Sequence, residues 1–323
     1  MEFKDFISIR DLTPAATEYL LLLGRQIKAR PAAYREELHG KTLAILFEKP
    51  SLRTRVSFDV GIQQLGGHAL YLSPAEINLG KRESVHDVAR TLERLVQGIV
   101  IRTFDHSIVE EMAACCDIPV INGLTDFSHP CQALADFLTM WEIKGSVNNL
   151  KLAYVGDGNN VAHSLMFAGA QLGAQVCIAT PPGYEPRPEA EYWAIERARM
   201  NEGYVAVTND PQLAVKDADV VYTDVWTSMG QESEAAERRQ IFRPYQVNWE
   251  LFSLAKPDAI FMHCLPAHRG EEVTSEVIDS ERSVVFQQAE NRLHAQKAIM
   301  FELMRHVPVE AIRPAYAAEP ARV

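Results

Sequence analysis

The sequence predicts an α/β protein of two domains, each a mainly parallel sheet flanked by helices. Three observations carry this. Short apolar, β-branched runs alternate with longer amphipathic stretches, the pattern of βα units. Most of the short runs are apolar throughout, as strands buried on both faces of a parallel sheet are. At roughly 150 residues per domain, 323 residues allow about two.

In chain order the expected strands are Thr42–Phe47, His68–Leu72, Gly98–Arg102, Pro119–Asn122, Lys151–Gly156, Gln175–Ala179, Val205–Thr208, Val220–Thr223, Ala259–His263 and Val284–Gln287. Helices are expected to begin near Ser51, Ser84, His129, Asn160, Glu189, Asp210, Asn248, Thr274 and Glu290. The helix from Pro130 to Lys144 is well punctuated, since Pro130 suits a first turn and Gly145 a stop. A polar link, Gly145 to Asn149, precedes the next strand, so the division falls there. Residues 1–145 are expected to form the first domain and 150–289 the second, with the helix from about 290 to 323 packing back onto the first.

Apolar residues at 47% and charged residues at 23% are ordinary for a soluble globular chain, which excludes a disordered tail, a collagen-like fibre and a disulfide-stapled miniprotein. A net charge of −11 argues against a nucleic-acid partner, which needs a basic surface. An anionic ligand would need a local cluster of Arg or Lys working against that field. No apolar run approaches the roughly 18–20 residues that span a bilayer, so no membrane partner is expected. The five cysteines are odd in number and form no C-x-x-C pair, which points to reduced thiols and a cytoplasmic location.

Four stretches can carry chemistry. Around Ser51-Leu52-Arg53-Thr54-Arg55 a strand gives way to a helix N-terminus with a capping serine, hydroxyls and two arginines. Free N–H groups and the dipole suit an anion there, and arginines in a first turn oppose the dipole unless one is bound. The plainer reading is a capped helix with solvated arginines. In His129-Pro130-Cys131-Gln132 the proline puts His129 at the cap and Gln132 on the same side, where they could polarise a carbonyl and hold an amino group, or simply form a cap and capping box. Gly156-Asp157-Gly158-Asn159-Asn160-Val161 is a strand–turn–helix, but Val161 stands where a dinucleotide fingerprint has its third glycine. Asn159 and Asn160 could cap that helix or hold a carboxylate. Finally, Asp224 to Gly230 and His263-Cys264-Leu265-Pro266 each follow an expected buried strand. Neighbours in an extended segment point to opposite sides, so His263 is poorly placed to activate Cys264 as a nucleophile. No zinc-type ligand spacing occurs, and no metal is expected.

Taken in order, Ser51-Leu-Arg-Thr-Arg55, Arg102, His129-Pro-Cys-Gln132, Asp224 with Ser228-Met229-Gly230, and His263-Cys-Leu-Pro266 resemble the aspartate/ornithine carbamoyltransferase family over about residues 3 to 310. Ser-Met-Gly and His-Cys-Leu-Pro resemble its ornithine branch. Leu52 departs from the threonine common there. The resemblance implies transfer of a carbamoyl group from carbamoyl phosphate to the δ-amino group of ornithine. Ser51, Arg53, Thr54 and Arg55 would hold the phosphate, and Arg102, His129 and Gln132, with Thr54, the carbamoyl group. Asn160 and Met229 would position the ornithine carboxylate end, and Asp224 and Ser228 its amino groups. Cys264 and Leu265 would line the δ-amino pocket, and Arg292 would approach the carbamoyl oxygen. Asn78 matches a position that reaches a neighbouring subunit's site. A homotrimer or a multiple of it, and no cofactor, are also implied. A nicotinamide dehydrogenase, a non-catalytic sensor, and putrescine or N-acetylornithine as acceptor are the rival readings.

Overall fold

The computed structural model describes residues 3–77, 79, 80 and 82–309; Asn78 lies outside them. The first half runs α1 (Pro14–Ala29), β1 (Thr42–Phe47), α2 (Leu52–Gln64), β2 (His68–Leu72), α3 (Pro74–Ile77), α4 (Val85–Leu92), β3 (Gly98–Arg102), α5 (His106–Cys115), β4 (Val120–Leu124) and α6 (Pro130–Lys144). The second runs β5 (Lys151–Val155), α7 (Asn160–Leu172), β6 (Gln175–Ala179), α8 (Pro188–Met200), β7 (Tyr204–Thr208), α9 (Pro211–Val215), β8 (Val220–Thr223), α10 (Ala235–Phe242), α11 (Trp249–Phe252), β9 (Ile260–His263), α12 (Ser275–Ile278) and α13 (Val285–Met304).

Two all-parallel sheets result, in the orders β2-β1-β3-β4 and β7-β6-β5-β8-β9. Each reverses direction once, between β1 and β3 in the first and between β5 and β8 in the second. At such a reversal the loops leaving two adjacent strands diverge to opposite faces and open a crevice at the carboxyl edge. The loops that carry Ser51, Arg102, Asn160 and Asp224 therefore flank the two crevices.

Caps mark the helix starts as the sequence suggests. Ser51, Ser84, Asn159, Asp210 and Asn248 each accept a backbone N–H two or three residues on, worth about 1 kcal/mol apiece. Gly145 ends α6 at φ +79°, its N–H bonded to the Trp141 carbonyl. The expected strand Val284–Gln287 is instead the start of α13, which begins five residues before the expected Glu290. A run as short as Val284-Val285-Phe286 cannot be told from one buried helical turn by periodicity, and Phe286 here is 77% exposed while Val285 is buried. The helices α1, α3, α5 and α10 add to those expected.

Helix α13 lies against α1, α2 and α6, and α6 in turn packs on α7. One continuous apolar core joins the helices of both halves. The Lys41 ammonium bonds the Met304 and Arg305 carbonyls, placing a cation at the carboxyl end of α13, where the dipole favours it. Gly158, which looked like part of a dinucleotide loop, has another reason to be glycine. A Cβ there would collide with the backbone of Tyr184, Glu185 and Pro186. Gly158→Ala is expected to cost about 1–3 kcal/mol by overpacking, seen as a lowered urea midpoint with an unchanged slope. Wild-type stability in that variant would mean the loop yields freely.

Candidate active site

The α2 end of the site is built by Ser51. Its hydroxyl accepts the Thr54 N–H at 3.3 Å and donates to Thr54 Oγ1 at 3.0 Å. Thr54 also accepts from Arg292 Nη2 at 2.7 Å, bringing α13 to the start of α2. Arg102 leaves the end of β3 and gives its Nε to the Lys49 carbonyl at 3.2 Å. Arg53, Arg102, Arg292 and His129 line one cavity of about 750 Å³ between the two sheets.

These groups repel one another. Burial, then Arg292 and Arg53, pull the Arg102 guanidinium down to about 9. Burial and the same arginines, with Arg102, hold His129 well below its usual range, so its ring is neutral at pH 7. Lys49 is different, because it is paired with Asp126. No carboxylate is paired with Arg53, Arg102 or Arg292 among the described residues. His129 makes no side-chain cap bond, which removes the capping reading, and its Nδ1 has no partner. Its backbone N–H bonds Ser164 Oγ on α7 at 2.8 Å.

Across the cavity Asp224 follows β8. Its carboxylate accepts from Asn159 Nδ2 and from the Cys264 thiol, both at 2.9 Å. Burial and the Asp224 charge push the Cys264 thiol far up, so it is a donor and not a thiolate. His263 turns away: Nδ1 accepts the Leu265 N–H at 2.8 Å and Nε2 faces Glu272 at 3.2 Å. His263 is therefore not the base of a nucleophile pair with Cys264. Leu265 sits at φ +58°, a left-handed conformation unusual for leucine. Asp224, His263 and Cys264 form one group with ligand atoms within 4.8 Å of one another, and His268, Glu271 and Glu272 form another. Hydrogen bonds already engage the first group throughout.

Residues 4–142 match the family model described as the carbamoyl-P binding domain of aspartate/ornithine carbamoyltransferase, and residues 148–303 match its Asp/Orn binding domain. The chain belongs to the aspartate/ornithine carbamoyltransferase family. Ornithine carbamoyltransferase of Thermococcus kodakarensis is 57% identical over 308 residues, covering 95% of this chain and 98% of that one. The anabolic ornithine carbamoyltransferase of Pyrococcus furiosus is 61% identical over 267 residues, 83% of this chain and 85% of that one. A solved ornithine carbamoyltransferase structure from P. furiosus superposes with a TM-score of 0.91 at 54% identity, covering 94% of this chain and 98% of that one.

The carbamoyltransferase fold brings most of the residues singled out in the sequence to this cavity. Ser51, Arg53, Arg102, His129, Gln132, Asn160, Asp224, Ser228, Met229, Cys264, Leu265 and Arg292 all line it. Thr54 is buried behind the lining. Arg55 lies outside it, exposed, its guanidinium 3.9 Å over the Tyr71 ring. Two residues beyond Arg53, it sits roughly 200° around the helix. Asn159 takes the capping role, while Asn160 Nδ2 bonds the Thr125 carbonyl.

Several site residues were not found from the sequence. Arg238 on α10 is buried and holds the Trp226 carbonyl at 2.9 Å and Asp157 at 3.3 Å, tying down the loop that leads to Ser228. Burial pushes Asp157 up to about 6, with Arg238 opposing. Asp136 and Gln288 lie directly behind the cavity. The one signal for Asp136 was an acid four residues after Gln132 on a helix otherwise apolar in that stretch.

An anion placed among Arg53, Arg102 and Arg292 relieves their repulsion. Inorganic phosphate is therefore expected to raise the melting temperature, by the equivalent of about 2.7 kcal/mol at one hundred times its Kd. Arg53→Ala should lose most of that shift. Equal shifts in both proteins would remove Arg53 from the anion site.

Proposed function

We propose that the chain transfers the carbamoyl group of carbamoyl phosphate to the δ-amino group of L-ornithine, giving L-citrulline and phosphate, by direct amine attack with no covalent enzyme intermediate. The observation that carries the reading is a buried, unneutralised set of guanidinium groups facing an acid–thiol pair across one cavity. The first suits a phosphate dianion and the second an amine. The names of the relatives supply the particular acceptor, and the anabolic P. furiosus relative supports the synthetic direction.

Ser51, Arg53 and Thr54 take the phosphate, with Arg55 adding charge from the outer face of the helix. Arg102, neutral His129, Thr54 and Arg292 donate to the carbamoyl oxygen, where negative charge builds during attack; preorganised donors of this kind are usually the largest catalytic contribution. Gln132 faces the carbamoyl nitrogen. Asp224 and Ser228 hold the ornithine amino end, Asn160 and Met229 its carboxylate end, and Cys264 and Leu265 line the δ-amino pocket. Holding both substrates together removes the entropy cost of their encounter. The catalytic division follows the two sheets, with residues 1–145 serving carbamoyl phosphate and 150–289 ornithine.

A trimer-based assembly completes the reading. Leu52, Val56 and Val60 form an exposed apolar stripe along α2, and Leu70 on the edge strand β2 is also exposed. Isolated apolar residues need no explanation, but a stripe of this kind suits an interface. Asn78 would then reach a neighbouring site. All five cysteines are unpaired, in keeping with a cytoplasmic protein. No helix of the described residues is long and apolar enough to cross a membrane.

The deciding experiment measures citrulline from carbamoyl phosphate and ornithine, with putrescine, aspartate and N-acetylornithine assayed beside it for their own products. Turnover with ornithine alone is expected; another preferred amine would overturn the acceptor. A δ-ammonium resembles lysine at about 10.4, so roughly one amine in 10³ is free at pH 7. kcat/KM for ornithine should rise from pH 6 to 8, and a flat profile with chemistry limiting would contradict direct amine attack. Cys264→Ser should keep measurable activity, because the thiol serves only as a donor. A carbamoyl-thioester trapped in the wild type would refute that.

A further inference from the structure

Asp136 is wholly buried in α6, four residues and one turn after Gln132. Three donors converge on its carboxylate: Gln132 Nε2 at 2.8 Å, Gln288 Nε2 at 2.8 Å and the Tyr222 hydroxyl at 3.1 Å. Gln288 Nε2 also donates to Tyr222 Oη at 3.0 Å, and its Oε1 accepts the His263 N–H at 2.9 Å. The hub thus joins α6 to β8, just before Asp224, and to β9, just before Cys264.

Burial pushes the Asp136 carboxyl up to about 7 against these hydrogen bonds; ionised above that pH it only accepts hydrogen bonds, so it can face only the NH₂ end of an amide. That fixes which way Gln132 points. Its Nε2 is turned back to Asp136, which leaves Oε1 as the free end, and Oε1 is buried without a partner. Gln132 lines the cavity beside His129. A buried bare acceptor is costly until a donor reaches it.

We propose that Asp136 is a positioning residue that selects the carbamoyl group: by holding the NH₂ of Gln132 it presents the amide oxygen to the cavity, and so favours an acyl phosphate bearing NH₂ over one bearing CH₃. This rests on the carbamoyl phosphate reading of the site and adds to it the origin of the discrimination. A carbamoyl NH₂ satisfies Oε1; a methyl group of nearly the same size leaves it unpaired. The contrast is therefore one of hydrogen bonding and not of fit.

Two unreactive ligands isolate the contact. Phosphonoacetamide and acetonylphosphonate differ only in NH₂ against CH₃, and calorimetry at about pH 8, where Asp136 is ionised, gives the ratio of their affinities. The wild type should prefer the amide by about tenfold to a hundredfold, the range expected for leaving one buried acceptor unpaired. In Asp136→Asn the new side chain can donate as well as accept, Gln132 is free to turn over, and the ratio should fall towards one. Tyr222→Phe removes a different donor from the same carboxylate and should keep the wild-type ratio. Should Asp136→Asn fail to fold, Asp136→Ser, which leaves room for water beside Tyr222 and Gln288, reads the same quantity.

A folded Asp136 variant that keeps the wild-type ratio would overturn the proposal, as would a Tyr222→Phe variant that loses it. A wild type with no preference would overturn it without any variant. General loosening of the site would weaken both ligands alike and leave the ratio unmoved, so it would also count against the proposal. If neither ligand binds the wild type, the carbamoyl phosphate reading itself falls, and the proposal with it.

Discussion

Guanidinium groups from three separate elements, the start of α2, the end of β3 and the middle of α13, meet in a largely buried space with no acid among the described residues paired to them. Bringing cations out of water and close together is unfavourable, and the depression of Arg102 to about 9 reflects it. The arrangement persists because two of the three side chains are held elsewhere. Arg102 is tethered to the Lys49 carbonyl, and Arg292 to Thr54, which Ser51 also holds. The rest of the chain supplies the stability that this cluster consumes: two sheets whose central strands are buried on both faces, a helix core shared between the halves, and capped helix starts. Such strained, preorganised charge is what a site for a dianion needs, since the ligand then meets donors already in place.

The cluster also orders the chemistry. While it is unneutralised, it raises the cost of placing a second cation nearby, and ornithine reaches the site as a cation. A bound phosphate dianion offsets most of that charge, so carbamoyl phosphate prepares the pocket for the amine. Residual positive charge then helps the next step, because neighbouring guanidinium groups disfavour the ammonium relative to the free amine. His129 remains neutral for the same reason, and a neutral imidazole can donate to a carbonyl without adding charge.

Most of the fold was legible because the strands are uniformly apolar and their helices begin at capping residues. The loops at the strand ends carried the site for the same reason: a strand's carboxyl edge is a position that can be read. What escaped was set by tertiary contact. The first turn of α13 has the composition of a strand, and only its packing against other helices decides it. Helix α10, Ala235–Phe242, is rich in charge and has no clear apolar stripe, yet Arg238 is buried by its bonds to Asp157 and Trp226. Arg55 looked equivalent to Arg53 in the sequence, and helix phase separates them. Asp136 and Gln288 lie 152 residues apart, so no local pattern announces their bond.

That last pair explains why the halves meet at the site rather than merely near it. A cavity between two sheets is only as well defined as the contact behind it. Here α6 offers His129 and Gln132 to the cavity from its first turn and, one turn later, fixes itself through Asp136 to the strand before Asp224 and to the helix carrying Arg292. The His129 N–H adds a bond to α7 through Ser164. Apart from Gln132 Oε1 and His129 Nδ1, the side-chain polar groups named in this contact have defined partners, and a buried network of that kind tolerates few alternative geometries. The anion-binding and amine-binding faces therefore share one backing.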